Sequence, residues 1–164
     1  PYDRWEILEQ TPDRLVFRLE YDSLQVGNQV FRETITIHAT AGAMLNSAEV
    51  VLSPLTPVTS PLLVGGGIYM HDTIDHYELN EATGLICYEE DALSDKTAAQ
   101  MNYDYNGSTS QGRIRITVMT PDASYIGIQD GNLVSVKPYR PGDTLTYYFG
   151  ACWSEWRDGD HTAF

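Results

Sequence analysis

Tyr69, His71, Asp72, Asp75 and His76 form the densest cluster of titratable side chains in the chain. Tyr69 and His71 are two apart in an extended apolar segment, so they leave one face while Ile68 and Met70 leave the other. An imidazole can take a proton near neutral pH and a phenol can supply one. The spacing predicts Tyr69 and His71 as an acid–base pair facing a cleft; a polar strand end at the surface is the alternative. His71 and His76 beside carboxylates also have metal-ligand chemistry. Five residues apart on no helix, they are not brought together by spacing, so no metal and no cofactor is predicted.

Arg113 and Arg115 share one strand face, opposite Ile114 and Ile116. Two forked guanidiniums can neutralise a carboxylate or sulfate; a solvated face paired with neighbouring acids is the plainer reading. Trp153 and Trp156 follow the run Tyr147-Tyr148-Phe149-Gly150-Ala151-Cys152 and lie near Glu155, Asp158 and Asp160. Rings beside carboxylates suit a sugar, whose C–H faces stack while its hydroxyls bond to charged acceptors. A core strand ending in a packed corner is the competing reading. Trp153 is expected to sit deeper than Trp156, because Gly150 and Ala151 let the backbone turn inward before it. Glu89, Glu90 and Asp91 form an acidic run without the EF-hand pattern.

The elements that must position these residues are short strands. Leu15, Phe17, Leu19 and Tyr21 alternate with polar neighbours, as do Phe31, Glu33, Ile35 and Ile37. Gly27 and Asn28 between them predict a hairpin turn with both supplying positive φ. Further strands are expected near residues 48–52, 62–70, 85–89, 113–119, 125–128, 133–137 and 144–150. Residues 91–100 are the best helical candidate, capped by Asp91 or Ser94, and 103–111 read as a loop. Gly65, Gly66 and Gly67 precede no helix, so they predict close backbone packing or a bulge, not a phosphate loop. About nine short strands with little helix make an antiparallel β-sandwich.

A chain of 164 residues is one domain by size. Its net charge of −13 opposes nucleic acid and anionic membranes. No apolar run reaches the roughly 20 residues of a membrane span. Cys87 and Cys152, the only cysteines, fit no metal spacing and read either as a disulfide or as two free thiols. Asn106-Gly107-Ser108 fits the glycosylation pattern.

Residues 31–52, FRETITIHATAGAMLNSAEVVL, resemble a segment of a bacterial secreted family of unknown function that occurs beside polysaccharide-degrading enzymes. VGGGIYMH at 64–71, LICYE at 85–89 and TYYFGACW at 146–153 resemble further segments in the same order. That family is similar to galactose-mutarotase-like proteins. The resemblance implies a large antiparallel supersandwich with a concave sheet facing carbohydrate, in a secreted or periplasmic protein. Members of that family are longer, so residues 1–164 read as one β-sandwich domain or as a piece of a longer one.

The combined expectation is a carbohydrate-active protein acting on or binding an oligosaccharide or polysaccharide, with acidic sugars favoured. Tyr69 and His71 would move protons, Arg113 or Arg115 would hold a carboxylate, and Trp153 or Trp156 would stack on a ring. That set suits β-elimination. Hydrolysis would need two carboxyl groups about 5–10 Å apart, for which Glu33, Glu89 and Glu155 are candidates. A non-catalytic carbohydrate-binding or structural module is the alternative.

Overall fold

The computed structural model describes residues 1–71, 76–91 and 112–154. They form eleven strands: β1 (Arg4–Gln10), β2 (Arg14–Val26), β3 (Gln29–Thr40), β4 (Asn46–Pro54), β5 (Leu62–Tyr69), β6 (His76–Asn80), β7 (Leu85–Asp91), β8 (Arg113–Met119), β9 (Tyr125–Gln129), β10 (Asn132–Tyr139) and β11 (Leu145–Trp153). An eight-stranded sheet runs β1-β2-β3-β4-β11-β8-β7-β6, and a three-stranded sheet runs β5-β10-β9. Every pairing is antiparallel. The protein is an antiparallel β-sandwich, with no helix among the described residues.

Alternation along each strand divides the large sheet into a wet face and an apolar face. The outer face of β1–β4 carries the ion pairs Arg4–Glu20 (2.9 Å), Arg32–Asp22 (3.4 Å) and Arg18–Glu6, with His38 beside Glu49. Such exposed pairs add little stability, because solvent screens them. Their value is to fix register, because a one-residue slip would turn them into the core. Inward, the ladders align rows such as Trp5–Leu19–Ile35–Val50–Leu145 and Phe149–Val118–Ile86.

The small sheet packs across part of that inner face. Leu62 at one end of β5 joins Phe31, Val50, Leu52 and Leu145, while Ile68 and Met70 at the other join Ile86, Tyr88 and Val118. Between those ends the chain must come close. A Cβ on Gly66 would lie 2.3 Å from Val118 Cγ1 and 3.1 Å from the Tyr147 ring, and one on Gly65 would lie 1.9 Å from the Ser135 carbonyl oxygen. A satisfied polar knot closes the same place. The Gly66 N–H donates to Thr120 Oγ1, which donates to the Ser135 carbonyl (2.7 Å), and Ser135 Oγ donates to the Gly84 carbonyl (2.6 Å). Thr120 and Ser135 are fully buried, so each lost bond would leave a costly orphan.

Strand alternation in the sequence is realised in β2–β5 and β7–β11, and the glycines serve close packing as expected. β1 and β6 were not legible. A bulge between Ile7 and Glu9 breaks the period of β1, and all five residues of β6 are exposed. The hairpin turn forms between Val26 and Gln29, but Gly27 alone takes positive φ (60°); Asn28 does not. Asp91 closes β7; the remainder of the expected helix, the loop at 103–111 and Asn106 lie outside the described residues. Both cysteines are free thiols. Cys87 pairs with Thr117 on one side of β8 and Cys152 with Arg115 on the other. Two strand spacings, about 9–10 Å, exceed what a disulfide spans.

Alanine at the three glycines should grade by what its Cβ meets. Gly65→Ala strikes backbone and should be worst. Gly66→Ala should cost about 1–3 kcal/mol by overpacking. Gly67→Ala, with its nearest neighbour 3.2 Å away, should cost least. Urea midpoints of the three variants give the order.

Candidate functional site

β5 ends at Tyr69, and Met70, 5% exposed, anchors the chain in the core beneath β10. Its N–H donates to the Gly131 carbonyl (3.2 Å). That anchor delivers His71 to the large sheet. His71 Nδ1 lies 3.0 Å from Glu90 Oε2 and 3.2 Å from Oε1. Glu90 stands on the inner row of β7 with Ile86 and Tyr88, and its side chain is 8% exposed against 42% for His71. A carboxylate only accepts, so the bond runs from the Nδ1–H to Glu90 and leaves Nε2 outside it. The Tyr69 ring meets the imidazole edge-on, with centroids 5.3 Å apart at 85°.

The same row continues across the sheet. Glu90 pairs with Ile114, and Ile114 with Trp153. Trp153 therefore shares the inner face with Glu90 and is 40% exposed. Trp153 is expected to lie deeper than Trp156, which is outside the described residues; Trp153 itself is half exposed, because β11 carries it beyond the small sheet, with β8 beside it among the described residues. Trp156, Asp72, Asp75, Glu155, Asp158 and Asp160 lie outside the described residues.

Arg113 and Arg115 are not brought to this corner. They alternate with Ile114 and so project from the outer face. There Arg113 is bonded to Glu89, while Arg115 holds Glu78 at 2.9 Å and Glu89 at 3.7 Å. Glu33 and Glu89 likewise occupy opposite faces, since Glu33 pairs with Leu52 on the inner side. They cannot flank one glycosidic bond. Among the described residues no three His, Cys, Asp or Glu side chains converge as a metal set. Among the described residues no helix is long and apolar enough to cross a membrane.

Sequence reasoning reached Tyr69 and His71 but did not select Glu90 from the acidic run. The available signal was parity. Glu90 falls in phase with Ile86 and Tyr88, which marks it as the inward-facing acid, while Glu89 faces out.

An antiparallel sandwich with an exposed imidazole clamped by a buried carboxylate is the class of protein that fold and site define. The chain matches DUF4861, a domain of unknown function, over residues 1–163 and belongs to that family. No curated protein and no solved structure matches it.

His71→Ala removes the hydrogen-bond partner of the buried Glu90 carboxyl and should cost about 1–3 kcal/mol, more than loss of an exposed ring. The double variant His71→Ala, Glu90→Gln should recover part of that loss in urea melts. Glu33 supplies a separate, pH-dependent test. Burial pushes its carboxyl above the ordinary value. A raised carboxyl pKa favours the fold below the unfolded value and withdraws that favour as pH rises through the folded one. Glu33→Gln should therefore melt higher than the parent at about pH 7 and equal to it at about pH 3, where both forms are neutral.

Proposed function

We propose that this chain is a carbohydrate-active protein whose site is the corner formed by His71, Glu90, Tyr69 and Trp153. The observation that carries the reading is the exposed His71 imidazole held through Nδ1 by the buried Glu90 carboxylate, with Tyr69 edge-on at 5.3 Å. A carboxylate that fixes tautomer and ring orientation is what makes an imidazole a dependable base. Trp153 on the same face supplies a ring on which a sugar can stack. The resemblance of residues 31–52 and 146–153 to a secreted family of polysaccharide-degrading bacteria supports the same substrate class, a supersandwich ancestry and a location outside the cytoplasm.

Among reactions on sugars, β-elimination from an acidic residue draws on the base and the acid held close together here, with the cation that neutralises the sugar carboxylate supplied from outside the described corner. His71 Nε2 takes the proton α to the sugar carboxylate. The C–H pair forms the α–β double bond, the β C–O bond breaks, and the departing oxygen receives the Tyr69 proton. Arg113 and Arg115 take no part, because they lie across the sheet in ion pairs. Hydrolysis by two carboxylates has less support, as Glu33 and Glu89 stand on opposite faces. The second reading, a non-catalytic binding module, draws on the exposed Trp153 ring alone.

The test is a panel of neutral and uronate-bearing polysaccharides, with binding and unsaturated product both recorded. For an acidic polymer, His71→Ala should lose at least about 100-fold in turnover and Glu90→Gln about 10- to 100-fold. Arg113→Ala should change little. Binding without product would assign the module reading. Neither binding nor product across the panel would overturn the carbohydrate reading.

A further inference from the structure

The small sheet has an outer face of its own, and glycine strips it of side chains. Ile68, Leu133 and Ile126 pack inward, so the rows of opposite parity, Gly65–Val136–Tyr125 and Gly67–Val134–Gly127, point outward. Neither row holds a charge. The Tyr125 ring is folded along β9 over Gly127: a Cβ there would lie 2.8 Å from the phenol oxygen and 3.1 Å from Cζ. Tyr125 is nonetheless 43% exposed.

Beside that ring opens a groove of about 410 Å³, lined by Glu81, Ala123, Ser124, Tyr125 and Ile126. Hydrogen bonds fix both of its walls. The turn that carries Glu81 is closed by the Gly84 N–H to the Asn80 carbonyl (2.9 Å) and by the Ala82 N–H to Asn80 Oδ1 (3.1 Å). The Gly84 carbonyl accepts from the Thr120 N–H (3.1 Å) and from Ser135 Oγ (2.6 Å), which ties that turn to the small sheet. On the other wall the Ala123 N–H donates to the Thr120 carbonyl (3.2 Å) and the Ser124 N–H to the Val136 carbonyl (2.9 Å). The Glu81 carboxylate is exposed and has no ion-pair or hydrogen-bond partner among the described residues.

We propose that this groove binds a neutral saccharide chain, one ring of which stacks on Tyr125 while its hydroxyls bond to Glu81 and Ser124. Further units pass over the glycine rows. An exposed phenol ring takes the C–H face of a sugar. A carboxylate accepts from sugar hydroxyls in charge-assisted bonds. Walls that are already fixed leave little ordering to oppose binding. The sugar is neutral because no Lys or Arg lines the groove, so a uronate or sulfate would meet Glu81 uncompensated in a molecule of net charge −13. Lys137, next to Val136, donates to the Pro121 carbonyl (2.9 Å). A polypeptide fits less well, since Gly65, Gly67 and Gly127 offer it no side chains to interdigitate with. The chain's own residues outside the described ones join it at His71, His76, Asp91, Gly112 and Ser154. Those points cluster at one end of the sandwich, where His71 meets Glu90, His76 pairs with Glu89, Asp91 pairs with Arg113, and the Ser154 N–H donates to the Arg113 carbonyl. The seven residues of β7, roughly 20 Å, separate that end from the Glu81 turn. The site stands whether or not the His71 corner is catalytic.

The experiment titrates the whole chain with cellohexaose, mannohexaose and xylohexaose, and with hexagalacturonate as the charged counterpart, following backbone amide resonances. At least one neutral hexasaccharide should shift the amides of residues 124–127, and hexagalacturonate should not. Tyr125→Ala should weaken that binding at least about tenfold, Tyr125→Phe should keep it, and Glu81→Gln should weaken it about three- to tenfold. Should Tyr125→Ala fail to fold, Glu81→Gln, a change at an exposed turn, decides. The readout is confined to residues 124–127, so its failure is distinct from that of the His71 corner, which unsaturated product tests. No shift at 124–127 with any neutral hexasaccharide, equal shifts with hexagalacturonate, or full affinity in Tyr125→Ala or Glu81→Gln would overturn the inference.

Discussion

The contact between β5 and the large sheet at glycine distance governs the rest of the molecule. Gly66 rests against Val118 and Tyr147 with no room for a methyl group, and Gly65 against the backbone of β10. A strand set that close can drop Leu62 into one core cluster and Ile68 and Met70 into the other. The two clusters are joined by β5 from the small sheet and bridged by Tyr147 from the large one. The buried Thr120 and Ser135 hydroxyls are tolerable only because the same approach lets them satisfy the backbone of Gly66, Ser135 and Gly84.

The candidate site inherits that geometry. With Met70 fixed in the core, His71 has no choice but to emerge at the end of the sandwich where β7 and β11 also end. There the inward parity of β7 presents Glu90, and that of β11 presents Trp153. The opposite parity sends Glu89, Arg113 and Arg115 to the far face, where they neutralise one another. A sheet one residue thick thus separates groups that are adjacent in sequence. Tyr69 and His71 therefore stand on one side of the sheet and the two guanidiniums on the other.

The two sheets are unequal, and this leaves an apolar floor beside an unguarded edge. The outer face of β1–β3 shows that solvent exposure of these strands is readily managed with charge, since its arginines and acids pair across every ladder. The inner face of the same strands is not managed that way. The difference in composition between the two sides of one sheet sets the inner face, uncovered among the described residues, apart from an ordinary wet surface.

Alternation in Leu15 to Tyr21, Phe31 to Ile37, Arg113 to Val118 and Tyr147 to Trp153 determined by itself that the chain is an antiparallel β protein, because burial on one face imposes a period of two on the residues. The i, i+2 spacing likewise placed Tyr69 with His71 and set Arg113 with Arg115. β1 and β6 escaped, since a bulge erases period and full exposure leaves no apolar signal to read. Only the tertiary structure decided which strands neighbour one another. That choice chose Glu90 over Glu89 for His71, put the arginines across the sheet, kept Cys87 and Cys152 apart on either side of β8, and brought Trp153 to the surface. Each of these depends on strand order and on which face the small sheet covers. A pattern local in sequence carries neither, because β-ladder partners lie tens of residues away and their order is set by packing of the whole.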